Sequence, residues 1–400
     1  MRHCPPRRCR WWSGRWPDVR LEARQGRAFG VGLKLSFDAV NKAGGINGHT
    51  LSLVRKDDLG QPEQTVALTK ALVAENRPMV LAGYFGTRNI AALVASGTLE
   101  KEKLALVGYR SSELRAPPPL LFNMHADLRE ELTKITRHLA TIGINRLGVF
   151  YEDVPASGEL LKLMDELAAA SSSRIVVRAS YPAGTTKVGD AAEAFLKEPP
   201  QAIVMLTSTG AAAAFIERYR MAPKGTAQLV AHSGVDVEQL SQRLSEQHMQ
   251  GIVIAQVTPS PFRISSKLTR EFIESTAGQT LEVPVSYSMF EGYITGRVIA
   301  EAVRRQGRTP TREGMAAALA SLGELRLRRL RGRPRPQCRR QRHALRRTHD
   351  PQQRGQDPAV ALWTVRAEPV EASRPASTSS AERWGFISSG RTMRRAPVPP

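Results

Sequence analysis

Cysteine is scarce in this 400-residue chain, and its distribution is uneven. The three cysteines are Cys4, Cys9 and Cys338, so residues 28–323 contain none. The middle of the chain therefore has neither a disulfide framework nor a cysteine-based metal site. Cysteine-free composition is compatible with an oxidising compartment but does not require one.

Several catalytic signatures are also missing. The sequence has no Gly-x-Gly-x-x-Gly fingerprint after a strand, no phosphate-binding P-loop, no His-Glu-x-x-His and no Gly-x-Ser-x-Gly. The eight histidines are scattered without metal-ligand spacing. We therefore expect no catalysis, no metal and no cofactor.

Long apolar runs are absent as well. No uninterrupted apolar stretch reaches the eighteen or so residues that a membrane helix needs. Residues 1–27 have arginines but no apolar central region, so no intact signal peptide is recognisable there. As written, the chain is expected to stay in the cytoplasm.

The net charge of +21 is concentrated at the two ends. Residues 1–27 contribute +6 and residues 324–400 contribute +12, which leaves +3 for the 296 residues between them. All five tryptophans also lie in the ends, and neither end contains a lysine. A composition rich in Arg, Trp, Cys and Pro but without Lys is typical of a GC-rich gene read in the wrong frame.

Back-translation supports that interpretation. Codons compatible with Cys4–Trp16 can spell SAASVPVVVGQMA when they are read two positions later. Codons for Arg326–Arg335 and Gln341–Gln353 can spell DFGGFAVDL and NATRFVELTILNS one position later. The alternative is that the ends are genuine disordered basic tails that bind nucleic acid through phosphates. The C-terminal end has no aromatic interleaving, heptads or zinc-finger spacing, so nucleic acid is not an expected partner.

Between the ends, short apolar strands alternate with amphipathic helices. This pattern predicts parallel sheets covered by helices on both faces, and 296 residues exceed what one such core usually holds. The predicted strands are Leu51–Val54, Met79–Ala82, Leu104–Val107, Leu147–Tyr151, Ile175–Val177, Ala202–Leu206, Gln228–Ala231 and Gly251–Gln256. The predicted helices include Pro62–Glu75, Leu128–Thr141, Gly158–Ala170, Ala211–Tyr219 and Tyr287–Arg305.

The stretch from Phe37 to Asp58 is the most informative. An amphipathic helix stops at Gly44-Gly45, an Asn-Gly turn follows, and an apolar strand then ends in Asp57-Asp58. In this order the features closely resemble the opening of the branched-chain amino acid type of periplasmic solute-binding protein, the ligand-capturing part of an ABC importer. The resemblance continues to about Leu322.

The resemblance implies an α/β architecture, the two-lobed type I periplasmic-binding-protein fold, in which each lobe is a mostly parallel sheet flanked by helices. A hinge joins the lobes, and a small-molecule ligand binds between them. We expect a foreign segment at 1–27, lobe one at 28–118, lobe two at 119–258, returning helices at 259–323 and a disordered or frame-shifted tail at 324–400. Family members act as monomers in the periplasm and deliver ligand to ABC permease subunits in the membrane.

Ligand contacts in lobe one are expected in loops that follow strands. By resemblance, Thr87 supplies a hydroxyl to a substrate carboxylate, and its alternative role is an ordinary helix N-cap. Ser111 or Ser112 fills a second hydroxyl position, and Arg110 adds a charge-assisted bond or is a solvated side chain. His125 is interpreted as structural.

In lobe two the expected contacts are Tyr151, Thr207 and Ser233. Ser233 stands where amino-acid-binding relatives place a Glu for the substrate ammonium, and a hydroxyl cannot replace that charge. Leucine-like specificity is therefore doubtful, and another carboxylate, an amide or an aromatic acid remains open. Glu291 and Tyr293 are expected to pack or bond across the hinge.

Two alternative functions remain open from the sequence. One is a cytoplasmic small-molecule sensor with the same fold. The other is a non-functional product of a decayed gene, because Arg/Trp-rich sequence replaces the first strand, which is normally central in lobe one. Unpaired backbone groups beside that position would then make the chain aggregation-prone.

Overall fold

The computed structural model describes residues 19–112, 118–124, 126–330 and 361–364. The helices in these ranges are α1 Val19–Lys42, α2 Pro62–Asn76, α3 Thr87–Ala95, α4 Thr98–Glu102, α5 Leu128–Thr141, α6 Ser157–Ala170, α7 Gly189–Lys197, α8 Thr209–Met221, α9 Val237–Arg243, α10 Glu246–Met249, α11 Lys267–Thr276, α12 Tyr287–Gln306 and α13 Arg312–Leu330. The strands are β1 Leu81–Ala82, β2 Leu106–Val107, β3 Leu121–Phe122, β4 Arg146–Asp153, β5 Arg174–Pro182, β6 Ala202–Leu206, β7 Gln228–Ala231, β8 Val253–Gln256 and β9 Ala361–Thr364.

The strands form two sheets flanked by helices, as the α/β prediction requires. One sheet has the order β5-β4-β6-β7-β8-β9, in which β4 to β8 are parallel and β9 is antiparallel to β8. The other has the parallel order β1-β2-β3. We call the part of the chain around the larger sheet lobe two and the part around the smaller sheet lobe one.

The strand predictions succeed best in lobe two. The structure confirms the predicted bounds of β6 and β7, and the predicted helix Leu128–Thr141 is α5 without change. These strands are near-continuous apolar runs because both faces of the sheet are covered. Their side chains are accordingly buried throughout β6.

The predicted strand at Leu51–Val54 is wrong. This segment has no regular secondary structure, and the side chains of Leu53 and Val54 are 37% and 49% exposed. A strand needs a hydrogen-bonded neighbour, and among the described residues none pairs with this segment. The sequence analysis also missed β3, whose two residues are too few to give a periodic pattern.

At the two ends, some residues expected to be foreign or disordered have regular structure. Helix α1 starts at Val19, inside the segment 1–27, and α13 continues to Leu330. Strand β9 pairs with β8 through four residues, for example Trp363 with Ile254. Of the two expectations for 324–400, disorder does not describe 324–330 and 361–364, while a shifted frame stays a prediction; residues 331–360 and 365–400 lie outside the described ranges.

Lobe one is held together mainly by the packing of α1 against α12. The two helices touch through glycines: a Cβ on Gly32 would lie 1.8 Å from the Met289 carbonyl oxygen, and one on Gly292 would lie 2.0 Å from that of Phe29. Only residues without a side chain allow backbones to approach this closely. The sheet strand β2 packs on the same core through Val107.

Lobe two has a large aromatic cluster beneath its sheet. The ring of Phe150 stacks on Phe215 at 4.2 Å between centroids and also contacts Tyr181 and Phe195. All four side chains are buried. Aromatic pairs of this kind stabilise a core beyond the apolar area they bury.

In the described part of the chain, no helix is both long enough and apolar enough to cross a membrane.

Candidate functional site

Loops at the carboxyl ends of the strands converge from both lobes. The loops after β1 and β2 bring Thr87 and Arg110 from lobe one, and the loop after β7 brings Ser233 from lobe two. Arg110 makes the connection, because its Nη1 donates to the Ser233 carbonyl oxygen at 3.4 Å. Ligands of open α/β sheets bind at such strand ends.

Three hydroxyls predicted to contact ligand form one group in lobe one. Thr87 Oγ1 lies 2.9 Å from Ser112 Oγ and 3.4 Å from Ser111 Oγ, and it accepts the Ser112 backbone N–H at 3.0 Å. The alternative role of Thr87 as an N-cap is wrong, since Gly86 is the N-cap of α3. We call Thr87, Ser111 and Ser112 the hydroxyl group; they lie at the N-terminus of α3, where a carboxylate would be favoured.

Arg110 is not a solvated side chain. Its Nε donates to Glu291 Oε2 at 3.0 Å, and its Nη2 donates to the same oxygen. The side chain of Arg110 is 15% exposed and that of Glu291 is 1% exposed. Glu291 thus bonds to Arg110 within lobe one, and the expected contact across the hinge stays a prediction; Arg110 also lies 6.0 Å from the centre of the Phe85 ring.

Sequence reasoning missed the carboxylate that lies against Ser233. Glu131, from the first turn of α5, accepts the Ser233 Oγ–H at 2.8 Å through Oε2 and the Ser233 N–H through Oε1. Burial raises the pKa of Glu131 to about 7, although the bonds from Ser233 and the charge of Arg110 oppose that shift. The sequence offered one signal for this role: Glu131 is an acidic residue on the same face of α5 as Ile135 and Leu139, and that face is buried.

His232 lies beside the same loop and is held neutral. Burial and the nearby charge of Arg110 lower the pKa of His232 to about 4, although a bond with the Thr207 backbone opposes that shift. Its Nδ1 accepts the Gly234 N–H at 3.1 Å, and the ring also bonds to the Thr207 backbone. The Thr207 hydroxyl oxygen is buried and has no hydrogen-bond partner within the described residues.

Two further acids surround the loop after β7. Asp236 caps α9 by accepting the Gln239 N–H at 2.9 Å, and Glu238 accepts the Tyr287 N–H at 3.0 Å. Burial raises the pKa of Glu238, and the neighbouring carboxylate of Asp236 raises it further. Glu238 thereby connects lobe two to the start of the returning helix α12.

The remaining predicted contact, Tyr151, lies near the end of β4, in register with Leu206. Its side chain is half-buried and packs against the lobe-two core. His125 falls outside the described residues. Within the described ranges, no group of three His, Cys, Asp or Glu side chains could hold a metal ion.

Several solved structures that are similar to this chain are substrate-binding or solute-binding proteins. A substrate-binding periplasmic protein from Ralstonia solanacearum is 34% identical over 75% of this chain and 86% of its own, with a TM-score of 0.69. A branched-chain amino acid transporter substrate-binding protein from Streptococcus pneumoniae, solved with isoleucine, is 20% identical over 75% and 84%, with a TM-score of 0.64. An R. palustris ABC-transporter solute-binding protein, solved with benzoate, is 18% identical over 74% and 81%, with a TM-score of 0.62.

Two sequence comparisons agree with these structures. An amino acid binding protein from Pseudomonas aeruginosa is 33% identical over 69 residues, which is 17% of this chain and 18% of that relative. The matched stretch is thus less than a fifth of the relative's length. The profile of the family described as periplasmic binding protein matches residues 22–348. The chain therefore belongs to the periplasmic binding protein family, whose members bind small solutes.

Proposed function

We propose that this chain is the solute-binding component of an ABC importer and binds an amino acid or a related small carboxylate or amide between its lobes. The observation that carries the proposal is the contact of Arg110 with Ser233, because it brings the strand-end loops of both lobes together. Relatives with the same fold were solved with isoleucine and with benzoate, which are both carboxylates. The partner is then an ABC permease, and the site of action is the periplasm.

The carboxylate of the ligand is assigned to the hydroxyl group of lobe one. Thr87, Ser111 and Ser112 supply donors at the N-terminus of α3, where free backbone N–H groups also favour an anion. Arg110 acts from behind this group as a fixed positive charge, since Glu291 holds its guanidinium in place. Arg110 is therefore expected to keep its position when ligand binds and to fix the geometry of the site.

The opposite side of the ligand meets lobe two. Ser233 directs both of its donors to Glu131, so its hydroxyl presents an acceptor to a ligand, and a carboxylate stands directly behind it. Tyr151 and Thr207 border the same side. Glu131 thus provides an acidic group next to Ser233, where the sequence alone predicted only a hydroxyl. A ligand with an amine or amide fits this arrangement.

The same contacts indicate how the two lobes close on a ligand. Arg110 joins lobe one to the Ser233 loop, and Glu238 joins lobe two to the first turn of α12. Both bonds lengthen if the lobes separate about the hinge. Ligand that bridges the hydroxyl group and Ser233 favours the closed form, which is the form that a permease recognises.

Calorimetric titration of the full chain with isoleucine, glutamine and benzoate tests the proposal. We expect saturable binding of at least one of them and at least a tenfold weaker affinity for Thr87→Ala and for Ser112→Ala. Thr141→Ala is the matched control, because Thr141 bonds only to its own helix through the Arg137 carbonyl in the described contacts. Absence of binding to all three ligands, or equal losses in all three variants, contradicts the proposal.

We also propose that both ends of the chain arise from shifted reading frames. Support comes from their lysine-free composition and from the strand-like sequences that the shifted readings spell. Resequencing the gene across codons 1–30 and 320–355 tests this. Single-base corrections that restore the apolar strands are the expected result, and an unchanged frame contradicts it.

A further inference from the structure

Lobe one has a pocket of about 810 Å³ at the edge of its sheet where the strands begin. The chain enters β1 from Arg77-Pro78 and enters β2 from Glu102-Lys103. Because β1 and β2 are parallel, their amino ends lie at the same edge of the sheet. That edge is opposite to the carboxyl-end loops of the candidate ligand site, so the pocket is separate from that site.

One wall of the pocket is a single face of α2. Its lining residues follow the spacing i, i+3, i+4 and i+7, which places them on one side of the helix: Lys70, Val73, Ala74 and Arg77. At 1.5 Å per residue, the two cations lie about 10 Å apart along the helix axis, with two short side chains between them. This wall therefore presents two separated positive charges.

The other wall comes from the end of α4 and the start of α13, which contribute Lys101, Glu102 and Arg312. Arg312 joins the segments that lead into the two strands. Its Nε donates to the Pro78 carbonyl at 2.9 Å, and its Nη1 donates to the Glu102 carbonyl at 3.1 Å and to Glu102 Oε2 at 3.0 Å. These bonds fix the guanidinium and engage the carboxylate that lines the pocket.

The positive charge of the pocket is not balanced within the described residues. Four cations against one carboxylate leave a net charge of +3 in the lining. The side chains of Lys70, Arg77 and Lys101 are exposed and make no hydrogen bond or ion pair in the described part of the chain. The carboxylate of Glu313, at the start of α13, bonds instead to Lys103 at 2.8 Å.

Helix electrostatics do not account for this arrangement. A cation is favourable at the carboxyl end of a helix, which covers Arg77 and Lys101. Lys70 lies in the middle of α2, and Arg312 is the first residue of α13, where a cation is disfavoured. The positive charge of the pocket therefore calls for an anion from outside these helices.

We propose that this pocket binds an acidic segment of a partner protein, with carboxylates spaced along an extended backbone. Glutamates three residues apart in an extended chain lie about 10 Å apart, which matches the separation of Lys70 and Arg77 along α2. Among the described lining residues none is aromatic, so the pocket offers no stacking surface for a nucleobase. This binding does not depend on the solute held between the lobes.

Fluorescence anisotropy of the full chain with a labelled peptide tests the site. The probe is SGEEGEEGEEGS, and the control peptide is SGQQGQQGQQGS, in which glutamine replaces each glutamate. We expect saturable binding of the probe at low ionic strength and at least tenfold weaker binding of the control. Binding of the probe should be lost in about 1 M salt, where charges are screened beyond about 3 Å. Equal affinity for the two peptides overturns the proposal.

Matched variants locate the binding. Lys70→Glu and Lys162→Glu both change an exposed lysine inside a helix, and both change the net charge equally. Lys70→Glu is expected to weaken probe binding at least threefold, whereas Lys162→Glu, in α6 of lobe two, is expected to alter it by less than half as much. Equal effects would mean that the peptide follows the overall charge of the chain, including its arginine-rich ends, and would contradict the site.

Cross-linking locates the peptide even on a chain that partly aggregates. A carbodiimide joins glutamate carboxylates to lysine amines, and residues 1–27 and 324–400 contain no lysine, so the arginine-rich ends give no lysine products. Lys70 and Lys101 are expected to carry the most peptide when the products are mapped by mass spectrometry. Products spread equally over Lys162 and other exposed lysines count against the proposal.

Competition distinguishes an acidic segment from a phosphate ligand. Unlabelled probe is expected to displace the labelled probe at a lower concentration than tripolyphosphate does, because the peptide spans the full separation of the cations. The reverse order would assign the pocket to a polyphosphate and overturn the proposed occupant.

Discussion

The two lobes carry the same kind of sequence pattern but build sheets of different quality. In lobe two, β4 and β5 pair through eight residues, and β4 is also paired with β6 on its other side. In lobe one, β1 and β2 pair through two residues, and β1 borders a cavity. Apolar runs of similar length thus give longer strands in lobe two than in lobe one.

Lobe one keeps its shape through helices. The close approach of α1 and α12 at Gly32 and Gly292 positions Phe29 and Glu291, and Glu291 in turn holds Arg110. The ligand-facing loop after β2 therefore depends on helix packing as much as on the sheet. Lobe two positions Ser233 and Thr207 directly at the ends of fully paired strands.

The largest expected loss of stability comes from removing a core phenylalanine, and its size is compared between the two lobes. Phe150→Ala in lobe two is expected to lower the free energy of unfolding by about 3–5 kcal/mol, because a ring with close partners on several sides is removed. Phe29→Ala in lobe one is expected to cost about 3 kcal/mol, at the low end of the same range, since that ring is also buried but borders a cavity. Urea denaturation measures both.

The control for this pair is Phe262→Ala, where the ring is largely exposed and little change is expected. If Phe29→Ala costs as much as Phe150→Ala, the cavity does not weaken the packing of lobe one.

The pH dependence of stability is expected to arise in lobe two from three buried groups, of which Glu131 and Glu238 act with one sign and His232 with the other. Folded Glu131 keeps its proton to a pKa of about 7, whereas the unfolded carboxyl loses it near 4.5, so stability falls as pH rises through this window. Folded His232 has a pKa of about 4 against 6.5 when unfolded, so stability rises with pH between those values. The raised pKa of Glu238 acts in the same direction as that of Glu131, so His232 offsets only part of their effect in the natural chain.

Single substitutions are expected to reveal each contribution. Relative to the natural chain, Glu131→Gln is expected to remove a loss of about 3 kcal/mol in unfolding free energy between pH 4.5 and 7, and His232→Asn is expected to remove a gain of similar size between pH 4 and 6.5. Urea denaturation at intervals of half a pH unit provides the measurement. Parallel pH profiles for the natural chain and both variants would show that these two groups are not the source.

The same contrast explains which parts of the fold were predictable. The apolar runs of β6 and β7 predict strands correctly because their hydrogen-bonding neighbours exist. Leu51–Val54 has an equally good local pattern, but a strand also depends on a partner distant in sequence, and local composition does not report whether that partner is present.

For the candidate site, the location of the residues was more predictable from the sequence than their hydrogen-bond partners. The rule that ligands bind at strand ends brings Thr87 and Ser112 together correctly. The partner of Ser233 was missed, because Glu131 lies 102 residues away on a helix and its role depends on tertiary packing. Only its place on the buried face of α5 marks it in the sequence.

Helix packing in lobe one gives the next prediction. Gly32→Ala is expected to destabilise the chain by about 1–3 kcal/mol, because the new methyl group would overlap the Met289 carbonyl and push α12 away from α1. Gly158→Ala in α6 of lobe two is the control: its Cβ meets nothing within 4 Å among the described atoms, so it should stabilise by about 0.5–1 kcal/mol. Thermal unfolding of both variants checks the signs, and two variants of the same sign would contradict the role assigned to the α1–α12 contact.

The smallest expected effect compares the helix starts of the lobes. In lobe two, Asp127 accepts the Glu130 N–H at 2.8 Å in a capping box, so Asp127→Ala should cost about 1 kcal/mol.

In lobe one, the N-cap of α2 is Gln61, whose side chain makes no capping bond. Gln61→Ser is therefore expected to stabilise by about 0.5–1 kcal/mol, because a serine hydroxyl at an extended N-cap can accept a free N–H of the first turn. Opposite shifts of the urea midpoint with an unchanged slope are the expected result. A loss of stability with Gln61→Ser would mean that lobe one already satisfies the start of α2 by other contacts, and the weakness of this lobe would then lie in its sheet alone.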